Sequence, residues 1–124
     1  DSLYDRPGKG YGQDYSIFDS MLKHNTAFTL WGGDNIYLRE VDWSSESGIN
    51  YRYHHTRNTP EVQRIMSSRP NYAIWDDHDF GRNDADGNLP GKENSRRGFI
   101  NYRANSTFGK NNFTVRCFFK NSGF

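Results

Sequence analysis

The chain has 124 residues, with 33% hydrophobic, 16% aromatic and 25% charged side chains and a net charge of +1. That is enough for one domain with a small, aromatic-rich core. It leaves no apolar run for a membrane span, no electrostatic case for a dedicated nucleic-acid or membrane binder and, with Cys117 alone, no internal disulfide or cysteine zinc cage.

The chain opens on Asp1 with no charged-then-apolar leader, and reads as a processed chain or an excised fragment. Residues 1–13, rich in glycine and charge, read as an irregular lead-in, and the GKGYG run within them lacks the strand–helix frame of a phosphate cradle. Asp14 suits the cap of a helix whose Ile17, Phe18, Met21 and Leu22 share one face, ending near Lys23–His24. Ala27–Trp31 is a short apolar strand broken at once by Gly32-Gly33-Asp34. Residues 35–58 show no firm period and read as a long excursion loop.

Thr59-Pro60-Glu61 is a helix start, with a capping residue, a proline at the first helical position and an acid in the first turn. Val62, Ile65 and Met66 form its buried stripe, and Ser67-Ser68-Arg69-Pro70 ends it. Asn71–Trp75 is a second apolar strand, and Asp76-Asp77-His78-Asp79 follows immediately. Residues 81–91 are turn-like, and residues 92–103 suit a helix with Phe99 and Ile100 inward. Residues 113–119 carry a strand-like patch. The order is that of an α/β chain with short parallel strands and crossover helices. Both acidic turns then fall at the carboxyl edge of one sheet, where open α/β sheets place ligands.

In the first turn, paired glycines leave room beside Asp34, and Tyr37 offers a phenol that is a hard oxygen ligand once a Lewis acid lowers its pKa. A helix cap by Asp34 and a core position for Tyr37 fit the segment equally well. In the second turn, three carboxylates and a histidine repel one another, and a divalent or trivalent cation would relieve that cost; a solvated loop is the alternative. His78 suits a ligand, a proton donor to a leaving group or a neutral hydrogen bonder. Together the turns suit a hydrolytic metal pair with Asp34 bridging, Asp77 on one ion and His78 just outside. Asp84, Asp86, Gly87 and Glu93 also match positions of an EF-hand loop, but Arg82 stands where its first carboxylate belongs. Arg52 and Arg57, in YRYHHTR, are candidates for a substrate phosphate or for a solvated face. Asn105-Ser106-Thr107 and Asn112-Phe113-Thr114 match the glycosylation pattern, which arises by chance in an Asn-rich chain.

The strings FTLWGGDNIYLREVDW, YRYHHTRNTPE and NYAIWDDHDFGRNDADG, between about Phe18 and Phe108, resemble the PhoD-like branch of the metallophosphoesterases, the alkaline phosphatase D family. The resemblance implies a four-layer α/β sandwich, of which residues 1–124 would be one partial domain with an unmatched tail over 110–124. It implies metal ligation by Asp34, Tyr37 and Asp77, with Asp34 bridging and Tyr37 on iron, and His78 as proton donor. Calcium, iron, zinc or manganese would serve as cofactors, a phosphate ester as substrate and an exported compartment as location. The chain departs from the family at Arg82, where proline is usual, and at Arg103-Ala104-Asn105-Ser106, where the family has Trp-Ala-Asn-Pro. The family's first motif and its late histidine motifs are absent. Phosphoester hydrolysis is therefore expected of the intact parent, with low or no activity in this chain. The alternative is a non-catalytic degenerate phosphoesterase or an aromatic-rich binding module.

Overall fold

A computed structural model describes residues 15–105. The Asp14 cap, the lead-in, the GKGYG run, the strand-like patch at 113–119 and the tail lie outside those residues. Among them the chain is mixed helix and strand, in the order α1 (Ser16–Leu22), β1 (Thr29–Trp31), α2 (Glu46–Arg57), α3 (Pro60–Ser68), β2 (Asn71–Ala73) and α4 (Lys92–Tyr102), with a 3₁₀ turn at Asp77–Asp79.

The two strands pair in parallel, Thr29 opposite Asn71, Leu30 opposite Tyr72 and Trp31 opposite Ala73. Parallel neighbours require a crossover, and α2 and α3 provide it. The strands are therefore co-directional, and the turns that follow Trp31 and Ala73 emerge at the same edge. The free edge of β2 is covered by one side chain. Asn105 accepts the N–H of Ala73 at 2.9 Å and donates to its carbonyl at 2.7 Å, in place of a third strand. That amide is engaged in backbone bonding, not displayed as a glycan acceptor.

The segment 35–58, expected to be a loop, contains the longest helix described. Ser45 accepts the N–H of Gly48 at 3.1 Å and caps α2. Its buried positions are Ile49, Arg52 and Tyr53, so a cation interrupts the apolar stripe. Arg52 donates from Nη2 to Asp42 at 3.0 Å in a buried ion pair. Arg52, read from the sequence as a candidate for a substrate phosphate or for a solvated face, is instead a buried structural residue. Gly98 of α4 lets the two helices approach. A Cβ there would lie 2.5 Å from the Ile49 Cγ2.

The α3 helix keeps its expected start and its stripe of Val62 and Ile65, although the Thr59 side chain makes no capping bond. Of the apolar face expected on α1, Ile17 and Met21 are exposed. Phe18 faces inward, its ring 5.9 Å from that of Trp31. Asp19 holds α1 to α3 through two bonds from Arg64, each 2.9 Å. The core joins Ile36, Leu38, Ile49, Tyr53, Ala73, Trp75, Phe80, Ala85 and Phe99. Ile36 and Leu38 come from the segment just after β1, so the first acidic turn is anchored by its own apolar residues.

Candidate metal centre

The first turn is shaped by close approach. Gly33 has φ 119°, and a Cβ there would lie 2.8 Å from the Cβ of Asp76, so glycine is required for the two turns to touch. Asp34 follows with φ 47°, a left-handed conformation that aspartate tolerates better than most residues. This projects its carboxylate to the surface, where Oδ2 accepts the Tyr37 hydroxyl at 3.0 Å.

The second turn is a 3₁₀ turn closed by reciprocal capping. Asp76 accepts the N–H of Asp77 at 2.9 Å, and the Asp76 N–H donates to Asp79 Oδ2 at 2.9 Å. Asp77 accepts the N–H of His78 at 2.8 Å and also that of Asp84, a residue with φ 58°. Leu38 N–H donates to the His78 carbonyl at 3.1 Å, and the Tyr37 and His78 rings stack at 4.4 Å.

Asp79, which the sequence could not single out from its neighbours, joins the turns. It is fully buried and accepts from Asn35 Nδ2 at 2.9 Å, Ile36 N–H at 3.0 Å and Asp76 N–H. Burial pushes its carboxyl up to about 6, and the donors restrain the rise. Its position three residues beyond Asp76 was the available signal, since an acid there closes a capping box.

The result is that one ligand atom each from Asp34, Asp77 and His78 lies within 4.8 Å of the others. The phenol of Tyr37 is bonded to this group through Asp34. Neither Asp34 nor Asp77 forms an ion pair with a lysine or arginine among the described residues. The donor set, two carboxylates, an imidazole and a phenol, is mostly hard oxygen and suits a divalent or trivalent cation. The Tyr37 hydroxyl is pushed up to about 12, first by burial and then by its bond to Asp34. Without a cation the phenol is therefore a neutral donor.

Comparison with family models, curated proteins and solved structures finds no match for this chain.

The EF-hand residues do not gather. Asp84 accepts from Asn83 Nδ2 at 2.5 Å, while Asp86 accepts the Asn88 N–H at 2.8 Å, and Glu93 lies in the first turn of α4. Asn83 was not singled out beforehand, yet its Oδ1 lies 3.2 Å from His78 Nε2. Because its Nδ2 is committed to Asp84, Oδ1 faces the imidazole as an acceptor, and this selects the Nε2–H tautomer. Behind Asp34 and Tyr37 opens a cavity of about 240 Å³, lined also by Trp31, Arg57 and Arg103.

Proposed function

We propose that the chain carries part of a phosphoester-hydrolysing metal centre of the PhoD-like metallophosphoesterase type. The observation that carries this reading is the convergence of Asp34, Asp77 and His78 from the ends of two parallel strands. Asp34, Tyr37 and Asp77 would hold the metal. When bound, such ions polarise phosphate oxygens and lower the pKa of water. Tyr37, stacked on His78, orients the imidazole. His78, with its proton on the Nε2 that faces Asn83, donates to the departing alkoxide. Three metal-holding residues are few for two ions, so the 124-residue chain is a weak or inactive hydrolase and full turnover belongs to the intact parent. The four-layer sandwich of that family is part of the same proposal, with β1 and β2 as two strands of one of its sheets.

The test is Mn²⁺ and Ca²⁺ titration of the chain by calorimetry, beside turnover of p-nitrophenyl phosphate by the intact parent. Asp34→Asn should abolish metal uptake in the chain and chelator-sensitive turnover in the parent. Unchanged metal uptake and turnover in that variant would overturn the assignment. Absence of both in the unsubstituted proteins would favour the non-catalytic binding module.

A further inference from the structure

Arg57 ends α2 and Arg103 caps α4, so two helices packed on each other bring two arginines to one cavity. Neither arginine forms an ion pair with a carboxylate among the described residues. The nearest buried acid, Asp79, spends its oxygens on Asn35, Ile36 and Asp76. Arg57 Nη2 and Arg103 Nε are shielded from solvent and lack a hydrogen-bond acceptor. What the two cations do have is ring faces. Arg57 lies 5.3 Å from the Tyr102 ring centre, and Arg103 lies 5.6 Å from that of Trp31. A ring face attracts the charge but leaves the in-plane N–H groups unfilled. Burial pushes Arg103 down to about 10, and the charge of Arg57 adds to the effect.

Two like charges held together in a partly desolvated cavity cost stability unless an anion joins them. The guanidinium fork matches the oxygens of a phosphate or a carboxylate, and two forks on one cavity can grip one such group from two sides. The volume of about 240 Å³ admits an oxyanion with a small organic group attached. Trp31 lends that group an aromatic wall.

We infer that this cavity is an oxyanion subsite in which Arg57 and Arg103 clamp a phosphate or carboxylate beside Trp31. Tyr37 and Asp34 line the same cavity. On the phosphoester reading, which this extension rests on, the preferred substrates are therefore phosphate esters that carry a second phosphate or carboxylate. The hydrolysed group lies toward Asp34 and Asp77, and the second anion lies between the arginines.

The test separates the subsite from the metal chemistry by titrating the 124-residue chain in excess chelator with phenylphosphonate and with benzoate. Binding of either is expected, weakening as salt is raised. The stronger of the two identifies the anion as phosphate-like or carboxylate-like. Arg57→Gln and Arg103→Gln should each weaken binding by about tenfold or more, the loss of a charge-assisted hydrogen bond. Arg57→Lys should recover part of it. Should Arg103→Gln fail to fold, Arg57→Gln decides, because Arg57 packs on one ring, Tyr102, and Arg103 on two, Trp31 and Phe99. Asp77→Asn, at a residue that does not line this cavity, should lose Mn²⁺ uptake and keep anion binding, so the two readings fail separately. No binding of either anion by the unsubstituted chain, or equal affinity in Arg57→Gln, would overturn the subsite.

Discussion

The carboxylate of Asp79, without solvent exposure, accepts the backbone N–H of Ile36 at 3.0 Å across 43 residues of sequence. With Asn35 Nδ2 and Asp76 N–H as its other donors, it sets the distance between the two turns that present Asp34 and Asp77. Asp79→Ala orphans three donors at once. The expected cost is about 3–5 kcal/mol in urea unfolding. Mn²⁺ affinity should fall with it, because the ligands lose their common frame.

Asp79 also makes a prediction about acid. Its carboxyl lies at about 6 when folded against 3.8 for a free aspartate side chain. The folded state therefore holds the extra proton between those values. The contribution is complete below 3.8 and is lost as pH rises through about 6. It is worth about 3 kcal/mol at most. In chelator, the unfolding free energy of the unsubstituted chain should fall between about pH 4 and pH 7, relative to an Asp79→Asn variant. A flat difference between the two proteins would contradict it.

Gly33→Ala strikes the same junction from the backbone side. The residue combines φ 119° with a 2.8 Å approach to the Asp76 Cβ. The new methyl is strained in its own conformation and pushes the second turn away. A loss of about 2–3 kcal/mol is expected, read from the thermal midpoint, with weakened metal binding. Gly32→Ala, which meets nothing within 4 Å and has no unusual φ, should be nearly silent in the same assays.

Asp42→Asn tests the ion pair that completes α2. It replaces the charged partner of Arg52 by a neutral one, and also removes a full charge from the acceptor of the Arg39 N–H at 2.9 Å. The expected cost is about 1–3 kcal/mol by chemical denaturation, the weakening of charge-assisted hydrogen bonds. The proposed metal ligands include neither residue, so Mn²⁺ affinity measured below the unfolding transition should not change.

Much of the frame was legible in the residues. Apolar runs ending at Trp31 and Trp75 marked two strands, although the paired segments are only three residues each, Thr29–Trp31 and Asn71–Ala73. Thr59-Pro60-Glu61 and the Val62–Ile65 spacing marked α3. Because strands joined through a helix run parallel, Asp34 and Asp77 could be expected at one rim, and they meet there. The α2 helix was not legible. One of its three buried residues is an arginine, and the aspartate that makes its burial tolerable lies outside the helix. Asp79 was hidden for a related reason. Consecutive carboxylates look alike in sequence, and only packing against Asn35 and Ile36 distinguishes the buried one. The convergence of Arg57 and Arg103 depends on how α2 and α4 lean together at Gly98, which no local pattern encodes.

The parallel pairing carries a kinetic consequence. Trp31 and Ala73 meet only after the whole crossover has folded back, so the ligands on either side are strangers in the unfolded chain. On the proposed reading, an ion held by Asp34 and Asp77 would act as a removable clasp on that long loop, adding its binding free energy to the folded state in which the loop is closed. Metal occupancy and resistance to proteolysis should then rise together, which makes loading itself a means of extending the protein's lifetime.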